Sequence, residues 1–197
     1  MITIPSVIWT DGNGNERAVD LGTRLLRDRI VLCTGEVTDE LAESVILQLL
    51  YLESDNKKKP ITLLVSGPGG SCDAGLSIIS TMNMISCPVY VTVIGNVASM
   101  SAVISVSGEK GHRSIYPNAR MMLHTVSSGT KGKIQDMRID VAEADITNSV
   151  IFNHLAECCG KSVEELTKDC DRDFWMSAEE AISYGAIDNV VTKHELD

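Results

Sequence analysis

Ile61-Thr62-Leu63-Leu64-Val65-Ser66-Gly67-Pro68-Gly69-Gly70 runs from an apolar segment into a glycine-rich one, and a helical pattern from about Asp73 to Ile85 follows. The apolar run is too short for a helix and reads as a buried strand. The glycines after it read as a sharp turn. Val89 to Ile94 repeats the theme, with a second buried strand, a turn at Gly95-Asn96 and a helix near Ser99. Strand and helix in alternation predict parallel pairing in a right-handed α/β arrangement. Upstream, Arg29 to Cys33 is a strand candidate, and Thr38 is an N-cap with Asp39 and Glu40 in the first turn. Apolar residues then recur at helical spacing from Leu41 to Leu52. Asp11 to Arg17 is polar and glycine-rich, a mobile loop or hairpin.

Downstream, Tyr116-Pro117-Asn118 is a turn, and Arg120 to Leu123 is a short strand leading to His124. Lys131 to Glu157 carries a long helical pattern that Gly160 caps, at ~1.5 Å per residue about 40 Å of helix. That exceeds what a domain of this size needs for its own core, so the helix is expected to project and meet another copy of the chain. Ser162 with Glu165, and Ser177 with Glu180, are capping-box patterns that open two further helices. No linker, repeat or low-complexity stretch divides the 197 residues, so one domain is expected.

Composition narrows the function. Aromatics are 4% of the chain, so the core is aliphatic, and a net charge of -10 disfavours phosphate backbones. The six cysteines form no C-x-x-C pair, and Cys158 and Cys159 are adjacent, a poor geometry for a mutual disulfide. Free thiols in a reducing compartment are expected. Met1 to Thr10 has no basic region followed by a long apolar stretch, and no apolar run approaches the roughly 20 residues that span a bilayer. The expectation is a cytoplasmic protein with no signal peptide, no membrane contact and no metal.

The two strand-to-helix junctions are where chemistry is expected. A helix N-terminus presents free N–H groups where the dipole favours negative charge. Ser99 opens one such helix, in Ala98-Ser99-Met100, and a serine there can attack a carbonyl. The N–H of Met100 and one from Gly69-Gly70 would then hold the oxyanion. Serine needs a base, and the histidines are His112, His124, His154 and His194. His124 stands at the end of a strand and before a Ser/Gly-rich loop. A carboxylate must orient the histidine, and Asp169, Asp171 and Asp173 are the candidates. Each feature also has an ordinary reading. A Gly-Pro-Gly-Gly turn is commonly only a turn, a serine opening a helix is usually only a cap, and the surroundings of Ser99 do not match G-x-S-x-G.

Taken together in order, the motifs resemble the Clp protease proteolytic subunit (ClpP) family over about residues 4–191. Arg24 to Ile30 is similar to that family's early helix-to-strand segment, and Ser66-Gly67-Pro68-Gly69-Gly70 to its glycine-rich turn. Ala98-Ser99-Met100 resembles its nucleophile motif, Pro117 to His124 the segment ending in its catalytic histidine, and Asp171 to Ala181 the segment carrying its aspartate. The resemblance implies a crotonase-like α/β fold with a projecting handle helix. It implies one peptidase domain over residues 1–197, with an axial loop at about 8–18, a head at about 19–125 and 160–192, and a handle at about 126–159. It implies Ser99 as nucleophile, His124 as general base and then acid, and Asp173, the last Asp of the D-R-D, as the orienting carboxylate. Gly70 and Met100 would donate to the oxyanion, and Gly69, Gly70, Thr125 and Val126 would bind an extended peptide as an added strand. The family's subunits stack as heptameric rings into a tetradecamer, fed with unfolded polypeptide by an AAA+ unfoldase ATPase. The ATP belongs to that partner, so no cofactor is expected on this chain.

Four departures from the family pattern carry expectations of their own. Ser101 stands where glycine is usual, and its hydroxyl is expected to crowd helix packing rather than touch the chemistry. Thr125-Val126 replaces the common Gln-Pro and is expected to change how substrate is held. Leu64 replaces an aromatic of the ATPase-docking pocket, which leaves room for a mixed ring with a paralogous subunit. Asp171 and Arg172 are expected to meet Lys133 and Asp136 of a facing subunit, in a salt-sensitive double ring. Two competing functions remain: an acyl-CoA hydratase or isomerase on the same fold, and a subunit that shapes a mixed ring without cutting.

Overall fold

The computed structural model describes residues 5–10, 12 and 14–191; residues 1–4, 11, 13 and 192–197, His194 among them, lie outside the described residues. In chain order the elements are β1 (Ser6–Thr10), β2 (Glu16–Asp20), α1 (Leu21–Arg27), β3 (Ile30–Val37), α2 (Asp39–Asp55), β4 (Ile61–Gly70), α3 (Cys72–Met84), β5 (Val89–Ala98) and α4 (Met100–Val106). There follow β6 (Arg113–Ile115), β7 (Met121–Leu123), α5 (Ile134–Cys159), α6 (Val163–Asp169), β8 (Phe174–Met176), α7 (Ala178–Tyr184) and β9 (Asn189–Val190). β1 and β2 form an antiparallel hairpin, registered from Ser6↔Asp20 to Thr10↔Glu16. Strands β3-β4-β5-β6-β9 form a parallel sheet. This is the α/β alternation expected of the sequence.

β5 is the strand on which the sheet forks. Its first half, Val91 to Val93, pairs with β6, while Val97 and Ala98 pair in parallel with Met121 and Met122 of β7. β7 in turn pairs antiparallel with β8. The fork sends a second, small layer of strands past the C-terminal end of β5, where Ser99 stands.

Three sequence expectations are corrected. Ser66 to Gly70 is not a turn: β4 runs through it, and pairing resumes at Glu36↔Gly69 and Val37↔Gly70 after a bulge in each strand. Gly95-Asn96 is likewise inside β5. Nor are the strands buried on both faces. Ile61, Leu63, Val65, Val89, Val91 and Val93 are buried, while alternate residues such as Leu64 and Thr92 are half-exposed. A continuous apolar run usually means two covered faces; here α2 and α4 pack on the sheet, and burial alternates along the strands. The long helix begins at Ile134 rather than Lys131, so the first part of the 126–159 segment is not helical. Only Ile151, Phe152 and Leu155 of α5 are buried, while Ile134, Ile139, Val141, Ile146 and Val150 are exposed.

The helix ends follow their capping residues. Thr38 accepts from Leu41 N–H, and both capping boxes form, at Ser162/Glu165 and Ser177/Glu180. Gly160 closes α5 in the left-handed conformation at φ 68. Buried Arg113 ties three helix ends together. It donates to the carbonyls of Val106, Cys158 and Gly185, at the C-terminal ends of α4, α5 and α7, and to both carboxylate oxygens of Asp188 at 2.9 and 2.7 Å. A cation at converging helix C-termini is favoured by their dipoles, and Asp188 balances its charge.

Burial pushes the Asp188 carboxyl up, but hydrogen bonds from the Arg113 guanidinium and backbone outweigh it and hold it below the usual carboxylate range. Its folded-state value therefore lies below the unfolded one of about 3.9. The stabilisation is full above the unfolded value and is lost as pH falls through the folded one. Asp188→Asn is expected to flatten the acid limb of stability against pH, read from urea midpoints. Arg113→Met, which strands the carboxylate, is expected to cost about 3–5 kcal/mol at neutral pH. An unchanged acid limb in Asp188→Asn would remove Asp188 from this role.

Candidate active site

Ser99 sits between β5 and α4 and does not behave as a cap. Thr38, Ser71, Ser162 and Ser177 each open a helix and accept a hydrogen bond from a first-turn N–H. Ser99 occupies the same position with φ 52 and ψ -128 and makes no capping bond. A side chain at positive φ is held at a cost of about 1–3 kcal/mol. Two strands hold it there: Val97 and Ala98 are locked to β7, and Ser99 N–H donates to Met122 O at 3.0 Å. The hydroxyl is thereby presented on a sharp elbow, free of the bond that usually occupies it.

The glycine strand lies against this elbow. A Cβ on Gly69 would fall 2.6 Å from Ser99 Cβ and 2.9 Å from Met100 N, so only glycine fits. Gly69 and Gly70 have φ +96 and +149. Ser71 N–H donates to Val37 O on β3, and Gly70 lines the same cavity as Ser99. Ser101 does not crowd the helix. It is 2% exposed, and its Oγ accepts the N–H of Gly69 at 3.1 Å. The sequence reading missed this contact, because nothing along the chain signals that residues 69 and 101 meet.

Ser99 and half-buried His124 line one cavity of about 110 Å³, together with Gly70, Met100, Cys72, Val103, Leu123, Thr125, Val126, Ser127 and Ile151. Its apolar residues leave room for about one side chain, far below the several hundred Å³ of a typical cofactor pocket. A larger cavity of about 470 Å³ lies away from Ser99, between the end of α3 and the ends of α4 and α5. The other described histidines are engaged elsewhere. His112 stacks on Tyr90 at 3.8 Å, and His154 meets Ser107 Oγ at 2.7 Å on that second cavity.

Strand register also sorts the aspartates. β7 and β8 pair Met121↔Met176, Met122↔Trp175 and Leu123↔Phe174. Continuing the register sets His124 opposite Asp173. Asp169 instead accepts from Tyr184 OH at 2.9 Å, and burial followed by this hydrogen bond pushes the Tyr184 phenol up. Asp171 lies exposed beside Arg172, 3.7 Å from its Nε. Asp173 is exposed. Among the described residues no hydrogen bond joins Ser99 to His124 or His124 to Asp173.

On the far wall, Thr125 N–H donates to Cys170 O at 3.3 Å and Val126 N–H to Asn148 Oδ1 at 3.0 Å. Both amide donors that follow His124 are thus in use within the chain. Lys133 and Asp136 stand exposed at the start of α5. No cluster of three or more metal-ligating side chains occurs among the described residues, and none of their helices is long and apolar enough to cross a membrane.

Comparison with known proteins agrees over nearly the whole chain. The sequence profile of the family described as Clp protease matches residues 13–194. The "ATP-dependent Clp protease proteolytic subunit 2" of Chlamydia pneumoniae is 45% identical over 192 residues, 98% of this chain and 94% of the relative. The "ATP-dependent Clp protease proteolytic subunit" of Leuconostoc citreum (strain KM20) is 45% identical over 191 residues, 96% of this chain and 95% of the relative. That of Streptococcus pyogenes serotype M5 (strain Manfredo) is 45% identical over 195 residues, 98% and 99% of the two chains. With a profile match from residue 13 to 194 and identities this high across the forked sheet and the serine elbow, the chain belongs to the Clp protease family.

Proposed function

We propose that this chain is the proteolytic subunit of an ATP-dependent Clp-type serine peptidase, cutting unfolded polypeptide as an endopeptidase. The observation that carries the reading is Ser99, held at φ 52 without a capping bond in one pocket with His124. In this reading His124 takes the Ser99 proton as Oγ attacks the scissile carbonyl, then returns it to the leaving amine. Asp173 orients the imidazole across the β7–β8 register. The N–H groups of Gly70 and Met100 stabilise the oxyanion, and the small apolar cavity takes the side chain preceding the scissile bond. The cavity volume speaks against the acyl-CoA alternative, which has to hold a coenzyme as well.

In this reading the three side chains, unbonded to one another in the isolated chain, are closed into a triad by assembly. The subunit is proposed to act as one peptidase unit, with the β1–β2 hairpin as axial element and α5 as a handle. The exposed apolar residues of α5 would be covered by a second copy. Two heptameric rings would stack through the handles, with an AAA+ ATPase delivering substrate and with room for a paralogous subunit. The six free thiols fit the reducing cytoplasm.

Fluorogenic peptide hydrolysis, measured on size-fractionated protein, is expected to follow the assembled fraction. Hydrolysis that follows a small, unassembled species would count against closure by assembly. Asp171, Arg172, Lys133 and Asp136 are solvent-exposed in one chain, so ring-to-ring attraction between them is open to screening. Raising salt from about 0.1 M to about 1 M shortens the Debye length from ~10 to ~3 Å. The double ring is expected to dissociate toward single rings over that range in sedimentation velocity. Equal assembly at both salts would exclude these residues as the main inter-ring contact.

A further inference from the structure

Ser101 and Ser105 lie on α4 and Ser107 caps its C-terminal end, and the last two bond back onto the helix. Ser105 Oγ donates to Ser101 O at 2.8 Å, and Ser107 Oγ donates to Val103 O at 2.7 Å. Ser101 alone reaches the glycine strand, where its Oγ accepts the Gly69 N–H at 3.1 Å. The bond is buried, so neither group has water as an alternative partner. It acts on a backbone that holds itself poorly. Gly69 and Gly70 both lie at positive φ, where glycine has little steric preference of its own. The peptide between them sits against the elbow, since a Cβ on Gly69 would be 2.9 Å from Met100 N. If that peptide rotates, the Gly69 carbonyl replaces the Gly70 N–H beside Ser99, and an oxyanion would meet a negative dipole.

We propose that Ser101 is a positioning residue for the oxyanion site: its hydroxyl, by holding Gly69 N–H, fixes the Pro68–Gly69 peptide and so anchors the glycine pair from its first residue, keeping Gly70 N–H and Met100 N–H aimed at one point beside Ser99 Oγ. The inference rests on the peptidase reading and extends it to a residue that never touches substrate.

The test compares the assembled parent with Ser101→Ala, Ser101→Gly and Ser101→Thr. It measures kcat and KM on a fluorogenic peptide, and inhibition by a peptide aldehyde and by the corresponding alcohol. The aldehyde adds to Ser99 and forms an oxyanion; the alcohol does not. Ser101→Ala and Ser101→Gly are expected to lower kcat about tenfold, the worth of one hydrogen bond, with KM within about twofold. Aldehyde affinity should fall by the same factor as kcat, and alcohol affinity should hold. Ser101→Thr, which keeps the acceptor, is expected to stay within about threefold of the parent.

A structural role alone would shift thermal stability and both inhibitors alike. Parental kcat in Ser101→Ala, a rise in KM with kcat unchanged, or equal losses of aldehyde and alcohol binding would each overturn the proposal and leave the peptidase reading standing. An assembled parent that neither cleaves peptide nor reacts with a fluorophosphonate would overturn both.

Discussion

Ser99→Ala is expected to abolish peptide hydrolysis, by about 10⁴-fold or more, and to remove all labelling by a fluorophosphonate. The magnitude follows from the loss of the attacking atom itself, which neither His124 nor the oxyanion donors can replace. The fold should be unaffected, because the Ser99 hydroxyl makes no capping bond and only its backbone N–H, donating to Met122 O, ties it to the sheet. Particle size and the urea midpoint of Ser99→Ala should therefore match the parent. Ser99→Gly adds a second readout. Glycine at φ 52 escapes the left-handed penalty, so this variant should be inactive yet at least as stable as Ser99→Ala. Persistent labelling in Ser99→Ala would place the nucleophile elsewhere, and a less stable Ser99→Gly would mean that the elbow is not strained.

The local parts of this structure were legible along the chain because they are governed by local chemistry. Thr38, Ser162, Ser177 and Gly160 cap helices where their side chains and neighbours predict. What the sequence hid depends on pairing. Ser66-Gly67-Pro68-Gly69-Gly70 has the composition of a turn, and it is a strand because Glu36 and Val37 are there to pair with it. Leu64 looks like core from its neighbours, and it is half-exposed because burial alternates along β4. At the site, pattern alone left four histidines and three aspartates open. The register that pairs Leu123 with Phe174, and whose continuation brings 124 to 173, is a relation that only the folded sheet contains. The same holds for the Gly69–Ser101 bond, whose ends are 32 residues apart.

Gly69→Ala should be nearly as damaging as loss of the nucleophile, for a different reason. The new methyl would lie 2.6 Å from Ser99 Cβ and 2.9 Å from both Ala98 O and Met100 N. These contacts are to backbone and to Cβ of a residue pinned by β7, so no flexible side chain can move aside. Relief has to come from the backbone of β4 or of the elbow, and either shift displaces Gly70 N–H from Met100 N–H. Losing one oxyanion donor lowers kcat by about 10²–10³-fold, and the same is expected here, with little change in KM. Left-handed strain and overpacking would also cost about 1–3 kcal/mol of stability. Gly111→Ala separates the two effects: Gly111 has φ +89 and nothing within 4 Å of the added methyl. It should show the backbone strain alone, a modest loss of stability with parental kcat. Parental kcat in Gly69→Ala would mean that the glycine strand does not abut the reacting atoms, and the oxyanion site would have to be built from other donors.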